Sequence, residues 1–331
     1  MSKPSAAPRL ISREVSAAHP SAVEPRVHRR SFIVGLDGRE HDADALALAR
    51  SLHAALGGEI VLAHVIPPAP PGRGMVAFEA IERREGRELL DAAATKIGDS
   101  AHTELVDPCP AAPGLSGVAV ERDASMLVLG SSHRGTVGRI VPGGVASQLL
   151  TCAPCAIAVA PVGYAQELTG PISRIGLAYD ATSESDVSLS AAAVAAAGLG
   201  VPLHLYHAMH AISRDPGWDK FRRHMQDFAQ GILDQGLKQL PAGLKATSRV
   251  LEGDVATVVA EAASEDGIGL LFAGSRGYGP LREALIGGVG GALLRTSPCP
   301  LVIIPRRSRP IASGERPADL RAGSRHVSAG S

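Results

Sequence analysis

Ala273 to Leu293 reads AGSRGYGPLREALIGGVGGAL, with glycine at 274, 277, 279, 287, 288, 290 and 291. Each glycine weakens a helix by about 1 kcal/mol relative to alanine, so a cluster this dense must be offset by something else. A bound phosphate would do it. Backbone N–H groups in a glycine-rich turn form a concave anion site, and the N-terminus of a following helix adds partial positive charge. Here the apolar run GLLFAG enters the turn GSRG, and Gly287 and Gly288 stand where a helix VGGALLRT begins. Two glycine turns could close on one polyphosphate from two sides. Glycines placed only for tight turns and helix packing would give the same composition, so the cluster has both a chemical and a purely structural use.

The elements that position this cluster come from an internal duplication. Ser31 to Pro68 is echoed by Arg174 to Ala211, with Asp37 and Asp180, and His64 and His207, each 143 residues apart. Ser125 to Pro161 is echoed by Gly269 to Pro305, where Gly130 and Gly274, Gly143 and Gly287, and Cys155 and Cys299 are each 144 apart. Chance does not hold such a register over two blocks. Each half alternates short apolar runs with helical segments, the pattern of a parallel sheet with right-handed crossovers. The expected fold is therefore α/β, as two tandem Rossmann-like domains. Strands are expected near 31–37, 59–66, 102–107, 126–130 and 156–160, and again near 174–179, 202–208, 245–250, 269–273 and 300–304. First-half helices are expected near 41–56, 76–97, 113–122 and 144–151, and the longest second-half helix from Trp218 to before Pro241. The domains are expected at 29–162 and 172–307, joined by a linker at 163–171, with disordered tails at 1–28 and 308–331.

Composition narrows the function. Thirty-three basic and 33 acidic residues leave no net field to recruit nucleic acid or a membrane. No apolar run approaches the roughly 18 residues a span needs, and the N-terminal 30 residues lack a secretory signature. Four cysteines are too few for a disulfide framework, which points to the reducing cytoplasm. Aromatic residues make up only 3% of the chain, as expected for buried strands between alanine-rich helices.

Other chemical motifs are weaker. Gly130 to Thr136 has a P-loop outline without the lysine, and no G-x-G-x-x-G follows the first strand of either half. Cys152 and Cys155 form a C-x-x-C, but Thr296 takes the place of Cys152 in the second half, which favours core packing over redox or zinc chemistry. His204, His207 and His210 alternate along a strand, so His207 points away from the other two, which lie roughly 20 Å apart. One ion cannot be held that way, and no metal site is expected. Arg134, Arg139, Arg276 and Arg282 flank the loops, where they serve either as phosphate partners or as solvated surface.

Gly274, Gly277 and Gly287 fit G-x2-G-x9-G. Together with IVGLDG at the start of the first half, GSRGYGPL, and the closing SPCPLVIIP, this resembles a tandem universal stress protein over nearly the whole chain between the tails. The resemblance implies a five-stranded parallel sheet per domain in the order 3-2-1-4-5, flanked by helices, and an ATP site where the full glycine motif is kept. By the same resemblance, Asp37 and Asp180 contact the nucleoside end, and the backbone of Val65 and Ala208 meets adenine. Gly274, Gly277 and Gly287 form the phosphate loop of the second half. In the first half Gly130 and Gly143 keep the outer spacing, but His133 stands in the middle. Gly144 and Gly288 occupy the position where the family motif has Ser or Thr, so a hydroxyl donor is missing from both halves.

The expected cofactor is ATP with Mg2+, better held in the second half. Neither a general base nor a nucleophile is evident beside the loop, so a binding and signalling module is expected, not an enzyme. A nucleotide-independent interaction module, with the two halves as an intramolecular pseudo-dimer that can form a homodimer, is the alternative. An adenylate-forming enzyme of similar fold lacks its HIGH-like or SGG-x-D signatures here.

Overall fold

The computed structural model describes residues 31–72, 74–98, 101–131, 140, 143–167, 171–213, 215–275 and 289–305. Both expected tails, His133 and its flanking arginines, and Gly277, Gly287, Gly288, Arg276 and Arg282 lie outside the described residues. The first half runs β1 (Ser31–Leu36), α1 (His41–Leu56), β2 (Glu59–Val65), α2 (Met75–Ile97), β3 (Ala101–Val106), α3 (Ala111–Glu121), β4 (Met126–Gly130), α4 (Gly144–Cys152) and β5 (Ala156–Ala160). A short α5 (Tyr164–Glu167) leads into the second half. There follow β6 (Ile175–Ala178), α6 (Ser183–Leu199), β7 (Leu203–Met209), α7 (Asp219–Lys238), β8 (Ala246–Glu252), α8 (Val255–Glu265), β9 (Leu270–Gly274), α9 (Val289–Thr296) and β10 (Leu301–Ile304).

All ten strands join one sheet in the order β3-β2-β1-β4-β5-β10-β9-β6-β7-β8. Each half is parallel within itself and has the expected 3-2-1-4-5 order, while β5 and β10 pair antiparallel. The pairing sets Ile157 against Ile303, Ala158 against Val302 and Val159 against Leu301. Ala158 and Val302 are equivalent positions of the duplication, so the pairing is centred on a local two-fold axis.

Strands buried on both faces explain the unbroken apolar runs. Ala45, Leu48, Ala49 and Leu52 of α1 recur at helical spacing and are fully buried. One core, under α1, α2, α6 and α7, covers one face of the sheet; the other, under α3, α4, α8 and α9, covers the opposite face. Small side chains let these helices lie close to the sheet and to each other. No helix among the described residues is long and apolar enough to cross a membrane.

Two contacts fix the halves beyond the sheet. The buried Asp44 carboxylate of α1 accepts N–H groups from Gly163 (2.9 Å) and Ala165 (2.8 Å), pinning the start of the linker. Helices α1 and α6 cross where Gly198 faces the Ala55 carbonyl, again equivalent positions. A Cβ at Gly198 would lie 1.9 Å from that oxygen, whereas one at Gly231 in α7 meets nothing within 4 Å. Gly198→Ala is therefore expected to destabilise the protein by about 1–3 kcal/mol through overpacking. Gly231→Ala should instead stabilise it by about 0.4–1 kcal/mol, because only the helix and unfolded-chain terms remain. Chemical denaturation of both variants checks the opposite signs.

Candidate functional site

The first strand of each half ends in an aspartate, and in the second half local hydrogen bonds hold it in place. Thr182 caps α6: its hydroxyl accepts the Ser185 N–H (3.3 Å) and donates to Asp180 Oδ1 (2.6 Å). The Thr182 N–H donates to the same oxygen at 3.1 Å. Between them Ala181 has φ +56°, a left-handed conformation costing a non-glycine residue roughly 1–2 kcal/mol. Its counterpart is Gly38, which adopts φ +83° without that penalty. The strain sits beside the residue it orients.

Tyr206 and Ala208, two apart on β7, project to the same face and meet α8. The Tyr206 hydroxyl donates to Asp266 Oδ2 at 2.8 Å, fixing the ring. Burial, and then the Asp266 carboxylate, push this phenol far above its ordinary value, so it stays protonated. Asp180, Thr182, Ala208, Val255, Val259 and Gly274 line a small cleft with Tyr206. Its lining joins an apolar wall to two acidic residues, Asp180 and Glu184, beside the N-terminus of α6, which suits a flat heterocycle carrying hydroxyl groups that donate to a carboxylate. Of the residues singled out in the sequence, Asp180, Ala208 and Gly274 come together here. Tyr206, Val255 and Val259 were not anticipated. Their signals are the two-residue spacing from Ala208 and the i, i+4 pair opening α8.

The first half is arranged differently. His41 Nε2 lies 3.2 Å from Asp37 Oδ1, Arg39 Nε lies 3.6 Å from Oδ2, and the Arg39 N–H donates to Oδ1 at 3.2 Å. Asp42 accepts the N–H groups of Asp37 (3.1 Å) and Gly38 (2.8 Å), so its carboxylate holds the turn at the start of α1. Oxygens and ring nitrogen of Asp37, His41 and Asp42 approach within 4.8 Å, but both Asp42 oxygens already accept backbone N–H groups.

Gly130 and Gly274 show the same contrast. A Cβ at Gly130 would lie 2.2 Å from the His41 carbonyl oxygen, while at Gly274 the nearest atom would be 3.7 Å away. Helix α1 thus closes on β4 more tightly than α6 closes on β9. Val65 packs on α3, 2.9 Å from where a Gly114 Cβ would stand. Gly143 caps α4, and Gly144, its first residue, has open space around it.

The duplicated histidines have a structural role. Nδ1 of His64 lies 2.9 Å from the Leu36 carbonyl, and Nδ1 of His207 lies 2.8 Å from that of Tyr179. A carbonyl only accepts, so each Nδ1 carries the proton and ties the second strand of its half to the residue before the aspartate. His204 meets the Thr247 hydroxyl instead, so His204 and His207 serve different partners. Burial pushes the thiols of Cys155 and Cys299 up to about 12, which leaves no reactive thiolate at neutral pH.

The sequence pattern described as the universal stress protein family matches residues 28–161 and again residues 171–305. The chain belongs to the universal stress protein family. A universal stress protein of Mycobacterium tuberculosis is 28% identical over 298 residues, covering 83% of this chain and 97% of that protein. A shorter one from Thermus aquaticus is 27% identical over 131 residues, covering 39% of this chain and 96% of its own length. Among solved structures, a universal stress protein from Archaeoglobus fulgidus superposes with a TM-score of 0.64 at 18% identity, covering 85% of this chain and 99% of that one. That likeness establishes the shared tandem α/β fold.

The Asp37–His41 pair gives a pH test. Burial alone would raise Asp37, but the His41 hydrogen bond and charge, together with the Arg39 charge and N–H, outweigh it and hold the carboxyl below its ordinary range. The hydrogen bond to Asp37 raises His41. The aspartate's contribution is lost as pH falls below about 4; that of His41 is complete below its ordinary value near 6.5 and lost as pH rises through its raised midpoint. Asp37→Asn is therefore expected to lower stability more near pH 6 than near pH 9, measured by denaturation at both.

Proposed function

We propose that this universal stress protein binds ATP with magnesium in its second-half cleft and acts as a nucleotide-responsive stress module, not as an enzyme. The supporting observation is convergence: Asp180, Ala208 and Gly274, distant in sequence, line one cleft at the carboxyl ends of the strands. Ligands bind such sheets where the strand order reverses, here at β6 between β7 and β9. In this reading Asp180 holds the nucleoside end, the β7 backbone at Ala208 and the apolar wall hold adenine, and Gly274, Gly277, Gly287 and Gly288 hold the phosphates. Magnesium would neutralise phosphate charge when bound.

Asp37 and Gly130 are engaged by His41 and Arg39, which favours one nucleotide per chain. Free thiols at Cys109, Cys155 and Cys299 fit a cytoplasmic protein. The symmetric β5–β10 register favours a reading in which the two halves form an intramolecular pseudo-dimer, whichever ligand is bound.

Calorimetry is expected to give binding of Mg·ATP at about one site per chain, tighter than GTP, because strand backbone reads the base while the loop reads only phosphate. Gly277→Val should remove most of it. No heat and no competition at millimolar ATP sinks this function. Gly288→Ser supplies the missing hydroxyl and should tighten binding by up to about tenfold, the worth of one hydrogen bond of roughly 1 kcal/mol. Equal or weaker binding with the fold intact would place the phosphate out of reach of residue 288.

A further inference from the structure

The second-half cleft lies where the first half has two leucines. A Cβ at Gly35 of β1 would stand 2.8 Å from Leu129 Cδ2 and 2.9 Å from Leu115 Cδ1, so two large side chains converge over bare backbone. Both leucines are buried. The duplication puts Ala178 at the position of Gly35, Val259 at that of Leu115 and Ala273 at that of Leu129. Ala178 and Ala273 pair across β6 and β9, and all three residues line the cleft. Interiors are close-packed, and a site with fewer side-chain carbons either collapses or stays open. Here it stays open.

The floor beneath the cleft is rebuilt to keep it so. Tyr206 takes the position of Ala63 and Gly176 that of Ile33, which moves bulk from the first strand of the half to the second. A Cβ at Gly176 would lie 3.1 Å from the Tyr206 ring. In the first half Arg122, after α3, pairs with Glu104, the β3 neighbour of Ala63. The second half reverses the charges. Asp266, after α8, pairs at 3.2 Å with Arg249, the β8 neighbour of Tyr206, and also accepts the Tyr206 hydroxyl. An arginine in its place has no acceptor for that O–H. The ring is thus anchored at its far end.

We propose that the Ala178–Ala273 pair determines which half takes a base: it leaves room for a flat heterocycle in the second half, whereas Leu129 fills that space over Gly35 as an internal plug in the first. This rests on the reading of the cleft as the base site for ATP. The first half shows that the same fold is stable with the space filled. The opening is therefore not a demand of the fold.

Ala178→Gly combined with Ala273→Leu imports the first-half packing, so its melting temperature should stay near that of the wild type. Its affinity for Mg·ATP, measured by calorimetry, should fall at least tenfold, since a single methylene in an apolar pocket already changes discrimination by about 10–200-fold. Ala178→Gly alone leaves the room intact and should bind within about twofold of the wild type. Ala273→Val should fall between that variant and the double one. Wild type that takes up no Mg·ATP fails the underlying reading, and this inference with it. ATP binding that is lost in Gly277→Val but kept in the double variant overturns this inference alone. Should the double variant melt early, the single variants decide: equal affinity in Ala178→Gly and Ala273→Val overturns it.

Discussion

The antiparallel hydrogen bonding of β5 to β10 is the constraint from which the rest of the architecture follows. Each half alone would end its sheet in an open strand edge, the surface natural proteins cover or blunt. Joining the two edges makes ten strands continuous and buries Ala158 and Val302 at the centre. It also places α1 against α6, whose alanine-rich faces come close enough for a backbone carbonyl to reach a glycine Cα. Because the two sheets meet head to tail, their carboxyl ends lie on opposite edges of the molecule. The ligand edges of the two halves therefore do not share a pocket.

The halves have kept one scaffold and diverged at its edges. Both retain the histidine that ties the second strand to the first, and both retain the strand-end aspartate. Around that aspartate the chemistry separates: Arg39 and His41 engage Asp37, whereas Thr182 orients Asp180 into a cleft. The fold is held by interactions common to both halves, and the ligand chemistry by those that differ.

Much of the fold was legible in the sequence because it rests on periodicity and repetition. Apolar runs buried on both faces, helices spaced by glycine, and a fixed repeat are local or self-checking signals, so the strand positions followed, while the 3-2-1-4-5 order came from the family resemblance. Asp180 and Gly274 were legible because each lies near a strand end that the repeat marks twice, and Ala208 was legible only through the family resemblance. Tyr206, Val255 and Val259 were not, since a cleft wall is made by packing between elements distant in sequence. The closure of the first half was equally hidden. Gly130 and Gly274 look alike as letters, and only the distance to the preceding helix tells them apart.

The crossing of α1 and α6 bears on how such a chain can evolve. A dimer of identical domains would present the same residue to itself on the two-fold axis, yet here Ala55 meets Gly198. A second first-half domain in place of the second half would bring Ala55 against the Ala55 carbonyl, where its methyl group has no room. The repeat has thus lost its interchangeability. Each half is now shaped to the other, and copying the first half over the second would incur the overpacking that Gly198 avoids.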